Sequence, residues 1–289
     1  MHCIGSRAAI GAAWLTVALL GGCAAVDGRA ERAAADAIAA AGGLVPAWET
    51  VAGFRLLTYA RGLDRGTGTV SVYLEGDGRA WRGRRPPHDP TSVDPMGLRL
   101  AALDPAPAVL WIGRPCMYQD DAMACGPRWW TSHRYAGEVV DALLDVVRRR
   151  VPARRPVSLL GHSGGGALAT LMAARALRMP DLRIESLITV AAPLDLAGWT
   201  DLLALSPLTG SLDPVLASTR LADLPQRHLA GQRDEVVPVA VVERFVSALP
   251  VPNRARLEVY PQHAHRCCWH EHWRTLRTLS APARLKTGN

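Results

Sequence analysis

Ser163 is the residue of this sequence whose surroundings most clearly suggest covalent chemistry. It lies in the pentapeptide Gly-His-Ser-Gly-Gly at 161–165, directly after the apolar run 157–160 and before an Ala- and Leu-rich stretch. A strand that turns sharply into a helix exposes such a serine and needs glycines around it, because neighbouring Cβ atoms would clash. The pattern predicts a nucleophile on a strand-to-helix turn. The alternative is a glycine-rich helix start that is structural or cradles a phosphate.

A serine nucleophile needs a base and an acid, and the chain offers candidates for both further along. The base takes the serine proton, and a carboxylate orients that base and stabilises its cation. His263 and His265 follow the last strand-like segment, and Asp234 and Glu235 follow the one before it. Asp195, after another strand end, is a more distant alternative acid. The structural alternative for Asp234 is a turn aspartate that caps the next helix.

Short apolar segments alternate with helical patterns along the chain and could position these residues. Strand-like segments lie at 54–59, 69–74, 108–112, 157–160, 184–190, 227–230 and 257–260, and helical patterns at 96–103, 135–149, 167–177, 239–249 and 270–279. This alternation predicts an α/β fold with a mostly parallel, doubly wound sheet covered by helices on both faces. Residues 196–224 break the alternation, and we expect them to form a small insertion or cap over the site.

The motifs resemble those of the α/β-hydrolase superfamily over residues 54–279. The Gly-x-Ser-x-Gly turn resembles its nucleophile elbow, and residues 231–238 resemble the Gly-x-x-Asp-x-x-Val-Pro loop that delivers its acid. The run His-Arg-Cys-Cys-Trp that begins at His265 resembles a His-x-Cys-Cys-Trp signature of some exported bacterial hydrolases. The resemblance implies that Ser163, Asp234 and His265 hydrolyse a carboxylic ester or a related acyl compound through an acyl-enzyme. It does not imply a particular substrate.

Acyl transfer also needs hydrogen-bond donors for the oxyanion, and the resemblance implies where they lie. One donor is the backbone N–H of Gly164, and the other is by position the backbone N–H of Asp77 in the loop after an early strand. Many lipases and esterases carry His-Gly-x where this chain has Glu-Gly-Asp. A carboxylate beside an oxyanion would be repulsive, so we expect the Asp77 side chain to point away or to pair with Arg79 or Arg82. The structural alternative is a tight Gly-Asp-Gly hairpin.

Other classes of site and partner are weakly supported by the sequence. Histidines at 263, 265, 270 and 272 could suggest zinc, but a His-Glu-x-x-His spacing is absent, and we expect no metal and no cofactor. His270 and His272 are expected on the closing helix, at the surface or behind the site. The formal charge of +7 comes from arginine. Its densest cluster, 148–155, falls where a helix ends, so we expect a small-molecule ester as partner and no nucleic acid.

The N-terminal sequence predicts export and lipid anchoring. Residues 1–22 contain one charged residue and a short apolar run, as in a cleaved signal peptide. Leu-Gly-Gly-Cys ending at Cys23 resembles the bacterial lipobox, which implies lipidation of that cysteine and a protein held in the cell envelope facing the periplasm. The alternative is an ordinary signal peptide. Residues 23–50 are then expected to form an N-terminal segment, either a short helix or a tether between the lipid and the domain, 51–280 the domain and 281–289 a tail.

Four further cysteines remain in such an exported protein, where disulfides are permitted. We expect Cys116 and Cys125 to pair, because their separation closes a small loop. Adjacent Cys267 and Cys268 could bridge each other, pack as small apolar residues or bridge elsewhere. A different class of function also stays open, namely a catalytically silent, hydrolase-like binding lipoprotein, for which the unusual Asp77 and the uncertain histidine are the support.

Overall fold

The computed structural model describes residues 28–119 and 125–278. The strands are β1 Val45–Val51, β2 Phe54–Arg61, β3 Val70–Leu74, β4 Val109–Ile112, β5 Pro156–His162, β6 Arg183–Val190, β7 Gln226–Gly231 and β8 Ala255–Tyr260. The helices are α1 Arg29–Ala41, α2 Met96–Leu103, α3 Gly137–Arg150, α4 Gly164–Ala176, α5 Leu196–Leu202, α6 Val239–Ser247 and α7 Trp269–Thr278. The signal peptide, Cys23 and the tail that the sequence predicts lie outside the described residues.

The eight strands form one sheet in the order β1-β2-β4-β3-β5-β6-β7-β8. Strands β1 and β2 pair antiparallel with each other and β2 pairs antiparallel with β4, whereas every pairing from β4 to β8 is parallel. The central strand β3 is buried along its whole length, as expected for a strand covered on both faces. The carboxyl ends of β3, β5, β7 and β8 therefore meet at one edge, where ligands bind in open α/β sheets.

Two apolar layers cover the sheet, one on each face. Buried side chains of α3, α4 and α6 pack on one face, and those of α1, α2 and α7 pack on the other. Successive residues of β3 alternate between the layers, with Val72 and Leu74 in the first and Tyr73 in the second. This three-layer arrangement is the doubly wound architecture that the sequence predicts.

Of the N-terminal segment 23–50, residues 28–50 are described, and they form α1, the short helix that the sequence allowed, and most of β1, which the sequence did not predict. Ala35 and Ala39 of α1 are fully buried against the α2 layer, and β1 pairs with β2 over its whole length. The sequence obscured this strand because Pro46 cannot donate to a ladder and normally argues against a strand. Strand β1 lies at the sheet edge, where a proline is tolerated. The helix packs closely because alanine side chains are small.

Residues 196–224, expected to form a cap, contain α5 and a 3₁₀ turn at Pro214–Arg220. Asp213 accepts hydrogen bonds from the backbone N–H groups of Leu196 and Ala197 at the start of α5. Trp199 donates its indole N–H to the carbonyl oxygen of Val236, 2.7 Å away. The cap is thereby fixed to the loop that follows β7.

Candidate active site

Ser163 lies at the turn between β5 and α4 in a strained backbone conformation, with φ 54° and ψ −129°. Glycines flank it at positions 161, 164 and 165 because the turn is crowded. A Cβ on Gly161 would lie 2.2 Å from the carbonyl carbon of Gly165, and one on Gly165 would lie 2.2 Å from the carbonyl oxygen of Leu74. Real side chains do not approach so closely, so the expected strand-to-helix turn has a steric explanation at each of these positions.

His265 lies beside the serine, in the loop between β8 and α7. Its Nε2 is 3.0 Å from Ser163 Oγ, and its Nδ1 is 2.9 Å from Asp234 Oδ2. A carboxylate accepts hydrogen bonds, so Nδ1 is the protonated nitrogen, and Nε2 of the neutral ring can then accept the serine proton. The geometry places the three expected residues in one hydrogen-bonded chain.

Asp234 is held in place by its own backbone. It lies in the loop after β7, its side chain is fully buried, and its Oδ1 accepts the N–H groups of Val236 and Val237 at 2.9 and 2.8 Å. This turn leaves Oδ2 for His265. The turn hydrogen bonds that the structural alternative predicted and the contact with His265 therefore use different oxygens of Asp234.

The alternative residues lie elsewhere. Glu235 is exposed, and Asp195 accepts the backbone N–H of Gly198 as the N-cap of α5. His263 is buried against Trp269, with ring centroids 4.4 Å apart. Burial, followed by the neighbouring His272, holds the pKa of His263 below its ordinary value. Its backbone oxygen accepts the N–H of Arg233 in the loop that carries Asp234.

His162, which sequence reasoning passed over, forms a hydrogen bond with the loop that carries His265. It precedes the serine, and its Nε2 donates to the carbonyl oxygen of His265 over 2.7 Å. Burial, followed by the charge of the neighbouring His265, lowers the pKa of His162 to about 3. The imidazole is neutral over the working pH range and acts here as a hydrogen-bond donor. The sequence around the serine does not indicate this contact, because His265 lies 103 residues further along the chain.

Asp77 is paired, but not by the arginines that the sequence suggested. Its carboxylate accepts hydrogen bonds from Arg114 at 2.9 Å, from Arg134 at 2.8 Å and from the Tyr135 hydroxyl at 2.6 Å. Arg79 instead pairs with Glu31. The reason is that the chain turns at Gly78, which has φ +63°, and the arginines that reach Asp77 come from the loops after β4 and before α3.

Burial alone would raise the pKa of Asp77, but the charges of Arg134 and Arg114 and the Tyr135 hydroxyl outweigh it and hold the pKa below its ordinary value. The carboxylate is thus ionised, and the positive charges of Arg114 and Arg134 balance its negative charge. It lies against the start of α4, since a Cβ on Gly164 would be 1.9 Å from Asp77 Oδ1. No acceptor for the backbone N–H of Gly164 or of Asp77 is found within residues 28–119 and 125–278.

Glu75 fixes the same loop from behind. It is buried, and its carboxylate accepts the indole N–H of Trp111, the N–H of Leu98 and that of Gly76. Burial raises its pKa, and these hydrogen bonds act in the opposite direction. The side chain joins β3 to β4 and α2, so Glu75 fixes the position of the loop.

The cysteines pair in two bridges in the structure. Cys116 and Cys125 are joined, as are the adjacent Cys267 and Cys268, which selects one of the three alternatives left open by the sequence. The first bridge lies behind the Asp77 loop, because a Cβ on Gly78 would lie 2.6 Å from Met117 Cε. The second lies in the loop that carries His265, where the carbonyl oxygen of Cys267 accepts the N–H of Ala264.

Among residues 28–119 and 125–278, no three His, Cys, Asp or Glu side chains are grouped so that they could hold a metal ion. No helix of that part of the chain is long and apolar enough to cross a bilayer. His263 lies in a cluster of aromatic rings, and His265 lies beside Ser163.

Comparisons with known proteins agree with the architecture. The sequence profile of the alpha/beta hydrolase fold matches residues 121–230. Similar solved structures include a membrane phospholipase A described as a bacterial virulence factor, with a TM-score of 0.57, 15% identity, and coverage of 87% of this chain and 89% of that one. Among curated proteins, none matches the sequence significantly.

Two further structures are similar. Alpha/beta hydrolase domain-containing protein 10 from mouse has a TM-score of 0.54 at 15% identity, over 77% of this chain and 91% of that one. Est1E from Butyrivibrio proteoclasticus has a TM-score of 0.51 at 13% identity, over 78% and 93%. At these identities the likeness concerns the fold. With the family profile and the three-layer sheet, it shows that this chain has the α/β-hydrolase fold.

Proposed function

We propose that this protein is a serine hydrolase of carboxylic esters or related acyl compounds, working through an acyl-enzyme. The observation that carries the proposal is the chain of two hydrogen bonds from Ser163 through His265 to Asp234, 3.0 and 2.9 Å long. These residues come from three separate strand ends. Their convergence in the order of nucleophile, base and acid is what acyl transfer requires.

In the first half-reaction Ser163 Oγ attacks the ester carbonyl carbon and passes its proton to His265 Nε2. Asp234 stabilises the resulting imidazolium and keeps Nε2 directed at the substrate. The backbone N–H groups of Gly164, at the positive end of α4, and of Asp77 donate hydrogen bonds to the oxyanion. His265 then protonates the departing alcohol. In the second half-reaction it removes a proton from water, which attacks the acyl-serine and releases the acid.

The neutralised Asp77 supports an active enzyme over a silent binding protein. An unpaired carboxylate beside the oxyanion would oppose the transition state by charge repulsion. Here two arginines and a tyrosine hydroxyl occupy its oxygens. The feature that favoured an inactive protein in the sequence is therefore compatible with catalysis.

The direct test is labelling with a fluorophosphonate probe together with hydrolysis of p-nitrophenyl butyrate. We expect wild-type protein to be labelled and active, and Ser163→Ala to lose labelling and roughly 10⁴–10⁶ in kcat. Ser158→Ala is the matched control, since Ser158 lies on the same strand and bonds Ser186 rather than a histidine. A Ser163→Ala protein that is labelled and as active as wild type would overturn the proposal.

We further propose that the protein is exported and anchored by lipid at Cys23, facing the periplasm. The support is the signal-like segment 1–22 and the lipobox-like residues that precede Cys23. Mass spectrometry of the mature N-terminus tests it, with an acylated cysteine as first residue expected. An unmodified N-terminus at another residue would contradict the anchor without affecting the proposed hydrolase activity.

A further inference from the structure

A second cavity adjoins the pocket around Ser163 and is three times larger. The pocket at the serine has a volume of about 250 Å³, and the neighbouring cavity has one of about 760 Å³. Arg134 and Trp199 line both, so the two spaces share a wall. Small-molecule sites usually measure about 300–1,000 Å³. The larger cavity has the size of a ligand-binding site, whereas the serine pocket holds little more than the reacting group.

The larger cavity is lined by apolar side chains that reach the surface. Trp81 is 50% exposed and Leu205 is 45% exposed, and Pro207 and Leu208 complete this lining. They come from the segment after the Asp77 loop and from the cap. Large apolar side chains that converge on one cavity and stay in water mark a binding surface for apolar ligands.

The charge at the cavity has one sign. Among the described residues, its charged lining side chains are Arg84 and Arg134. Arg134 is engaged by Asp77. Arg84 is exposed and takes part in no ion pair formed by the described residues. It lies in a short hairpin closed by backbone pairing of Arg82 with Arg85. An anionic group at the mouth of the cavity would therefore meet an available guanidinium.

The position of the cavity decides which part of an ester enters it. Arg134, in the shared wall, bonds to Asp77 on the oxyanion side of the serine. The alcohol must leave near His265 Nε2, which protonates it, and that side of the pocket carries Arg266. The acyl part then extends past Arg134 and Trp199 into the larger cavity.

We propose, building on the hydrolase function above, that this cavity binds the extended apolar acyl chain of the substrate and that Arg84 receives an anionic group at its far end. The substrate class is an ester of a medium- or long-chain acid, with preference for a chain that ends in an anion such as a carboxylate. Trp81 and Leu205 contact the chain.

The first experiment measures kcat/KM for p-nitrophenyl acetate, butyrate, octanoate and decanoate. We expect the wild-type value to rise with chain length, and Leu205→Asp to lower the ratio of decanoate to acetate about tenfold or more, since apolar pocket contacts change discrimination by such factors. Leu216→Asp is the matched control, because Leu216 is 80% exposed and lines neither cavity. Its ratio should equal that of wild type.

The second experiment compares p-nitrophenyl decanoate with the mono-p-nitrophenyl ester of decanedioic acid. Wild type should favour the carboxylate-ended chain by a few-fold, because an exposed ion pair contributes little. Arg84→Gln should remove that preference, and Arg85→Gln, outside the cavity, should keep it. An unchanged preference in Arg84→Gln would overturn the role of Arg84.

The two proposals fail in different ways. If acetate and decanoate are hydrolysed equally by wild type, the hydrolase function stands and the acyl-chain cavity is wrong. If no ester is hydrolysed and Ser163 is not labelled, tryptophan fluorescence of Ser163→Ala titrated with sodium decanoate still tests the cavity. Saturable quenching that Leu205→Asp weakens would support it, and absence of quenching would overturn it.

Discussion

The two sides of the serine pocket are held in different ways. On the side of the base, neutral or singly charged groups from neighbouring strand ends form a linear chain, and backbone N–H groups orient Asp234. On the oxyanion side, a carboxylate, two arginines and a tyrosine form a largely buried charged cluster around Asp77. In the proposed mechanism, protons move between the groups of the first side during turnover. The second has a fixed charge distribution and serves as a rigid support.

The difference has consequences for how each side responds to substitution. Replacement of a group in the hydrogen-bonded chain by a residue of nearly the same size, such as Asn for Asp234, should affect kcat with little effect on folding. Removal of Asp77 should affect stability as well, because breaking a buried ion cluster leaves charges without partners. Measurements of kcat and of unfolding on the same variants can separate the two sides.

The largest effect is expected on the side of the base. Asp234→Asn should lower kcat roughly 10⁴-fold, because the asparagine amide no longer fixes the protonated Nδ1 or stabilises the imidazolium. Glu235→Gln is the control, since this neighbour is exposed and should keep wild-type activity. Both are measured with p-nitrophenyl butyrate at saturation. Full activity in Asp234→Asn, or loss of activity in Glu235→Gln, would show that Asp234 is not the acid.

A smaller loss of activity with a larger loss of stability is expected for Asp77→Asn. We expect kcat to fall about 10²-fold as the oxyanion loop shifts, and the unfolding free energy to fall by about 3–5 kcal/mol as Arg114 and Arg134 lose their partner. Urea unfolding measures the second quantity. Asp181→Asn is the control, because it breaks only an exposed pair with Arg148 and should leave the unfolding midpoint close to that of wild type.

The pH dependence of this difference has a definite sign. The pKa of Asp77 is held below its ordinary value of 3.8, so its contribution to stability is fully present above that pH and is lost as the pH falls through the lower folded-state value. The gap between wild type and Asp77→Asn should therefore narrow only in strong acid. A gap that closes already near neutral pH would show that the cluster is not held by the charge of Asp77.

The two sides of the pocket also differ in how well the sequence predicts them. The strands, the helices and the serine turn follow from local patterns, because apolar periodicity and glycine crowding are read within about ten residues. The network around Asp77 could not be read in this way, since Arg114 and Arg134 reach it from loops 37 and 57 residues away. Strand β1 was hidden by Pro46, whose edge position only the sheet order reveals.

The smallest effect on activity is expected for His162, the residue that links the serine turn to the base. It donates to the backbone of His265 and touches no reacting atom, so it is a positioning residue. His162→Ala should lower kcat about tenfold, because small displacements of a base reduce catalysis. His162→Gln keeps an N–H donor and should recover most of that loss. Equal kcat in wild type and His162→Ala would show that the hydrogen bond does not position the base.

The pH dependence of the unfolding free energy tests whether His162 and a second buried histidine, His228, are neutral. Burial lowers the pKa values of His162 and His228 to about 3, so between pH 6.5 and that value the unfolded chain binds protons that the folded one refuses. Stability then falls with decreasing pH by about 1.4 kcal/mol per unit for each histidine. His162→Gln and His228→Gln should each reduce the slope of the unfolding free energy against pH by about 1.4 kcal/mol per unit, as measured by urea unfolding from pH 6.5 to 4. An unchanged slope in both variants would contradict the buried, neutral state of these histidines.

His228 also provides the control for activity, because it bonds Thr189 on a neighbouring strand away from the serine. His228→Gln should therefore keep wild-type kcat. A loss of kcat in His228→Gln comparable to that in His162→Ala would show that the loss in His162→Ala comes from disturbed packing.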